Sequence, residues 1–320
     1  MRWLKAFMAW RWRAVVVAAA IVIFVLYLVG ELAAWYGEAQ PAASSDADRS
    51  SSPQGNVPPR KTSIYTPNVD AYDLYVRGRT MATSSEAKSL AVAVELFNSA
   101  IEADSQFAGG YAGASQTRLA QYRLCSDSCE HHLDAALKMG RKAVDLDPSF
   151  AAGVHYLAEA LYLSGEFETA LATSRKVIEI DPSDALVRAS YGRILGYSGK
   201  LEEGLQQVEE AFNTGSDKIE LLYELGAMYR FGGQFDEAIK ALREHRRRLR
   251  GRMLPSPTAQ LAAAYMQDGR IMEARSTIQV LRRNMPRFSI QHALRSHRFA
   301  SEQATETYSK ALRDSGLRDN

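Results

Sequence analysis

The chain of 320 residues is predicted to be all-α: a solenoid of helical hairpins preceded by one transmembrane helix and a flexible linker. Three observations predict this. Residues 14–30 read AVVVAAAIVIFVLYLVG, without a charge. From about residue 69 onward, apolar residues recur at helical spacing, with no convincing alternating strand run. The glycine-bearing breaks between these stretches repeat with a period near 34 residues. Composition agrees. With 46% hydrophobic and 24% charged residues the chain is not wholly disordered. Two cysteines exclude a disulfide-rich scaffold and a four-cysteine zinc site. A formal net charge of +2 gives no global attraction to nucleic acid, and no nucleic-acid partner is expected.

The apolar run spans roughly 25 Å as a helix, and Leu32, Ala33 and Ala34 extend it toward the hydrocarbon thickness of a bilayer. Trp10 and Trp12 precede it, and Trp35 and Tyr36 follow, where amphipathic rings sit at the headgroups. Arg2, Lys5, Arg11 and Arg13 lie before the run, and no Lys or Arg follows until Arg49. The positive-inside rule then makes 1–13 a cytoplasmic N-terminus, 14–35 a single-pass anchor in the inner membrane of a bacterium, and everything beyond it periplasmic. A cleaved signal peptide is the alternative. The run is long for that, and the nearest weak cleavage triplet, Ala42-Ala43-Ser44, lies far from it. Residues 36–68 are rich in Ser, Ala, Pro and Asp. Such a segment cannot bury a core and reads as a spacer reaching about 30 Å.

Residues 69–317 carry the array. Gly165, Gly199, Gly233 and Gly269 mark its breaks in LSGEFETA, YSGKLEEG, FGGQFDEA and QDGRIMEA. Asp147-Pro148 and Asp181-Pro182 repeat with the same period. Each glycine is expected to close a helix in a left-handed cap, and each proline to stop the helix before it. Small residues fall where paired helices would cross: Ala158 and Ala170, Gly192 and Gly204, Gly226 and Ala238, Ala262 and Ala274. About six helix pairs follow, at 69–104, 107–147, 150–181, 184–214, 217–250 and 256–284. One capping helix is expected near 301–314.

On these residues the chain resembles the tetratricopeptide repeat family. Leu225-Gly226 with Tyr229 and Ala238 match its pattern well. Leu157-Ala158, Ala170 and Pro182 match in part, as do Leu261-Ala262, Tyr265, Ala274 and Pro286. The aromatic usual late in the second helix is replaced by Ser174, Val208, Leu242 and Ile278, so the repeats are degenerate. The edges AYDLYVRGRTMA (71–82) and YSKALRDSGL (308–317) resemble a narrower module. It is found C-terminal to bacterial class III adenylate cyclase domains or winged-helix membrane regulators. Thirteen residues before the anchor are too few for such a domain, so cyclase activity is not carried over.

The resemblance implies that an extended peptide or a helix binds in the concave groove, which the first helix of each pair lines. His155, Glu159, Tyr162, Arg193, Tyr223 and Arg230 are the groove candidates; each reads equally as a solvated surface residue. Glu159 stands where a carboxylate clamp would need a cation or amide, which disfavours capture of C-terminal carboxylates.

No HExxH, GxSxG or phosphate-cradling loop is present, so no enzyme and no cofactor are expected. The segment CSDSCEHH, Cys125 to His132, lies in an insertion, because Phe107 and Phe150 are 43 positions apart where 34 is usual. Cys125 and Cys129 read as a disulfide, as free thiols, or as ligands of a small metal site with His131 or His132. Charge is uneven along the array. Residues 61–240 hold 17 Lys and Arg against 26 Asp and Glu, whereas 241–300 hold 13 Arg against three acids. Arg246, Arg247, Arg248, Arg250 and Arg252 head this basic end, which reads as a solvated face or as a docking surface for an acidic partner or anionic headgroups. The expected role is non-catalytic binding or scaffolding of partner proteins on the periplasmic face. The alternative is a sensory module passing a signal to another membrane protein.

Overall fold

The computed structural model of the chain describes residues 66–84, 86–126, 128–215 and 217–320. The expected cytoplasmic segment, the transmembrane anchor at 14–35 and most of the linker lie outside the described residues. Among the described residues no helix is long and apolar enough to cross a membrane.

All regular structure among the described residues is helical, in fourteen α-helices. They form six successive hairpins: α1 (Val69–Ala82) with α2 (Ala87–Ala103), α3 (Ala108–Leu124) with α4 (Glu130–Leu146), α5 (Ala151–Ser164) with α6 (Phe167–Ile180), α7 (Ala185–Tyr197) with α8 (Leu201–Thr214), α9 (Ile219–Phe231) with α10 (Phe235–Arg248), and α11 (Pro255–Gln267) with α12 (Ile271–Asn284). Two more helices follow, α13 (Ile290–Ser296) and α14 (Glu302–Asp314), where the sequence suggested a single cap.

Local chemistry explains the hairpins. The helices α5, α7, α9 and α11 end in the same pair of backbone hydrogen bonds. The amide of Glu166 donates to Leu161 O (2.9 Å) and that of Gly165 to Tyr162 O (3.1 Å). Lys200 and Gly199, Gln234 and Gly233, and Arg270 and Gly269 repeat the pattern. Such a cap needs left-handed backbone at the glycine, and φ is 91°, 107°, 78° and 79° at Gly165, Gly199, Gly233 and Gly269. The Asp-Pro turns also share a geometry. Asp147 Oδ1 accepts from the Ser149 amide (2.9 Å) and hydroxyl (2.7 Å), and Asp181 does the same for Ser183. Asn68 caps α1 and Asp184 caps α7 through side-chain oxygens.

The small residues allow close crossings. Ala158, Ala170, Ala262 and Ala274 are buried. A Cβ on Gly204 would stand 2.4 Å from Gly192 O and 2.5 Å from Gly196 N. Backbone therefore meets backbone where α7 crosses α8. Leu157, Leu161, Leu195, Leu225, Leu261 and Tyr265 fill the core, while Tyr191 and Tyr229 are only partly buried. The insertion in the second repeat is spread over its elements. Phe107 and Phe150 still stand at matching N-caps, but α3 and α4 each run to 17 residues against 13 or 14 in the later pairs.

Candidate functional site: the inner groove

The six groove candidates all fall on first helices: His155, Glu159 and Tyr162 on α5, Arg193 on α7, Tyr223 and Arg230 on α9. Four of the six are withdrawn from solvent, while His155 and Tyr223 keep partial exposure. Glu159, Tyr162, Arg193 and Arg230 are at most 5% exposed. The physical reason is the segment after α12, which turns back and fills much of the groove.

Its contacts are specific. The Arg298 amide donates to the Tyr162 hydroxyl (2.8 Å), and the Ala300 amide to Tyr197 O at the end of α7 (2.9 Å). His297 Nε2 lies 2.7 Å from the Tyr223 hydroxyl. Phe299 stacks on Phe231 with ring centroids 5.4 Å apart and packs edge-on against Tyr197 at 4.7 Å. Tyr308 of α14, fully buried, lies under the Arg230 guanidinium at 4.4 Å. Arg295 donates to the carbonyl of Cys125. The tail secures this arrangement, since the amides of Ile290 and Gln291 donate to Arg318 O (2.9 Å) and Asp319 O (3.3 Å). Arg295, read from sequence as part of a basic face, is thereby used inside the fold.

Beneath the segment runs a chain of charges from one first helix to the next. Glu159 pairs with Arg193, accepts from Ser190, and takes Arg123 Nη2 at 2.9 Å. Arg193 Nε reaches Glu224 at 3.1 Å, and its guanidinium lies 4.8 Å from the Tyr162 ring centre. Arg230 bonds to Gln260 and, at 3.0 Å, to Gln267. Burial alone would raise the Glu159 carboxyl, but Arg193 and Arg123 outweigh it and hold the group at about 2. At Glu224 burial wins over Arg193 and the carboxyl is raised. Burial keeps the imidazoles of His155 and His297 below their ordinary range, so both are neutral at pH 7.

Sequence reasoning missed Arg123, Ser190, Glu224 and Gln260. A signal existed: Arg123, Glu159, Arg193 and Glu224 alternate in charge at roughly one repeat's separation, the register at which neighbouring first helices touch. His297 and Phe299 carried no periodic signal.

The N-terminal part of the groove stays open. A cleft of about 410 Å³ is lined by Gln116, Arg123, His155, Glu159, Tyr223 and Glu224, with Ser296 and His297 of the returning segment also in its wall. A second section of about 500 Å³ lies against Tyr75, Arg79, Phe150 and Tyr156. The two share Ala82, Gln116 and Tyr156 in their walls, which makes the open region a pair of adjoining clefts. It offers aromatic walls, a neutral imidazole and paired charges, which suit an extended polypeptide. Its lining side chains form no nucleophile–base–orienter arrangement among the described residues.

Of the three readings of the CSDSCEHH segment the structure has the disulfide: Cys125 and Cys129 are joined, with Cα atoms 5.6 Å apart, across a turn in which Ser128 has φ 52°. Sulfurs in that bond are not available as thiolate ligands. Of the basic candidates, Arg247 and Arg248 pair with Glu244, whereas Arg246 and Arg252 line a separate cavity and Arg250 adopts φ 49°.

No family model matches the chain, and no curated protein does. Solved structures do resemble it. The Cut9–Hcn1 hetero-tetramer of the APC/C is 14% identical over 76% of this chain and 46% of its own, with a TM-score of 0.51. A thermophilic TPR protein of Thermus thermophilus is 21% identical over 51% of this chain and 82% of its own, at 0.45. A tetratricopeptide repeat protein from Parabacteroides merdae ATCC 43184 is 13% identical over 76% and 99%, at 0.45. At these identities the likeness concerns the fold alone. The first of them shares this fold, and the six hairpins above make the described residues a helical-hairpin solenoid.

Proposed function

We propose that this is a non-catalytic, membrane-anchored scaffold that binds a partner polypeptide in the open N-terminal part of its groove, on the periplasmic face of the inner membrane. One observation carries the binding reading: the clefts along α1, α3, α5, α7 and the start of α9 remain open while the groove beyond them is filled by the chain's own residues. An extended segment laid there would contact Tyr156, His155 and His297. The apolar run at 14–30, the basic residues before it and a disulfide suited to an oxidising compartment support the anchored, periplasmic placement.

A photo-crosslinking residue at exposed Gln116, in the full chain in cells, tests the site. It is expected to yield a discrete adduct that the same probe at Lys176 on α6 does not. Equal labelling from both positions would refute the groove reading. Protease added to intact spheroplasts should digest the domain, and full protection would refute the placement. A second reading, a sensory module acting on a cyclase or a transcriptional regulator, is favoured by the groove-filling segment 287–301, which a ligand would have to displace. It predicts that crosslinking at Phe299 changes with the signal rather than with a partner.

A further inference from the structure

We propose that the cavity between α10, α11 and α12 is a docking site for an acidic peptide, which buries one aromatic-sized apolar side chain there between Arg246 and Arg252. The site is separate from the groove and does not rest on the groove reading.

The cavity encloses about 220 Å³ against an apolar floor that includes Leu242, Leu254 and Leu261. Apolar cavities of about 150 Å³ stay dry and accept benzene, so this one holds a ring-sized group without rearrangement. The loop from α10 to α11 shapes its mouth, turning over it through two successive left-handed residues, Arg250 (φ 49°) and Gly251 (φ 91°). Two further features point to a ligand. His245 is 2% exposed and lines the cavity, and its Nδ1 has no hydrogen-bond partner. A buried polar atom of this kind costs free energy until something satisfies it. Arg246 and Arg252 also line the cavity and are exposed, and no ion pair engages either among the described residues. Arg247 and Arg248, by contrast, are held by Glu244.

The choice of a peptide follows from the charge. Residues 241–254 hold six arginines against the single acid Glu244, an excess that extends well past the mouth. One small carboxylate would engage only part of it. A peptide with acids on both sides of an apolar anchor would engage Arg246 and Arg252 together.

The test uses the full chain in detergent and two fluorescein-labelled peptides, Glu-Glu-Phe-Glu-Glu and Glu-Glu-Ala-Glu-Glu, followed by fluorescence anisotropy. The Phe peptide is expected to bind roughly tenfold to a hundredfold more tightly, the gain from burying the ring. Arg246→Glu with Arg252→Glu should weaken it at least about tenfold. Ser276→Trp, on the exposed rim of the cavity, should abolish the difference between the peptides while leaving the fold intact. Equal affinities for the two peptides would overturn the proposal, since charge alone would then account for binding. So would unchanged discrimination in the Ser276→Trp variant. If free 3-phenylpropionate displaces the peptide at equal concentration, the site is one for small carboxylates and the peptide assignment fails.

Discussion

Replacing Glu159 by Gln tests the charge chain that underlies the groove. The change keeps the size and the ability to bond Ser190 but removes the charge facing Arg193 and Arg123. Two routes give its cost. The carboxyl is held at about 2 against an ordinary value of 4.5, and at about 1.4 kcal/mol per pH unit this is roughly 3 kcal/mol. Removing one partner of a buried ion pair costs about 3–5 kcal/mol, because the other charge stays buried. Glu224 still faces Arg193, so the lower end applies. For a domain of this size about 3 kcal/mol corresponds to a fall in Tm of roughly 6–12 °C, read by circular dichroism at 222 nm and pH 7. The pH dependence has a definite sign. The folded pKa of Glu159 lies below its unfolded value of about 4.3. Its contribution is therefore present above about pH 4.3 and is lost as pH falls through about 2. Raised Glu224 acts oppositely: its contribution is complete below the unfolded pKa and is lost as pH rises through the folded one. The reasoning is refuted if the wild type and the Gln variant melt together at pH 7, or if their difference persists undiminished at pH 2.

Four further predictions follow from the geometry. Gly204→Ala forces a Cβ onto the backbone of Gly192 and Gly196 and should cost about 1–3 kcal/mol by overpacking, measured as a shift in urea midpoint. Gly199→Ala meets nothing within 4 Å, so its loss, about 1–2 kcal/mol, reflects only the left-handed backbone. Cys125→Ser opens a loop with a sequence separation of four and should cost about 2 kcal/mol; a reductant should lower the wild-type Tm equally and leave the variant unmoved. Phe299→Ala removes a buried ring from Tyr197 and Phe231 and should speed hydrogen exchange at Ala300 and along 287–300, while α1 and α2 stay protected.

The hairpins were legible in the sequence because their determinants are local and repeated. A glycine that must turn left-handed, an aspartate that receives the next serine and a small residue at each crossing act within a few positions of themselves. Gly165, Gly199, Gly233 and Gly269 therefore announced their own caps. The state of the groove was not legible in the same way. Arg193 and Arg230 look like free cations until Glu159, Glu224 and Gln260 are placed beside them by stacking. The stretch PRFSIQHALRSHRFA reads as a basic surface because its arginines dominate it, yet Phe288, Ile290, Ala293 and Phe299 are what it buries. Nothing in the repeat period says where a segment without a repeat will pack.

That segment also changes how the molecule must assemble. A stack of hairpins ordinarily folds and frays from neighbour to neighbour, with stability a sum of adjacent contacts. Here Arg295 meets the carbonyl of Cys125, 170 residues earlier, and Arg298 meets Tyr162 across 136. Closing loops of that length comes late and slowly. During synthesis the six hairpins emerge with Tyr162, Tyr197 and Phe231 still bare, and only the last stretch of chain covers them. Four repeats become thermodynamically coupled at that moment, so loosening at the final turn would be felt together in the second, third, fourth and fifth, each of which the segment touches directly.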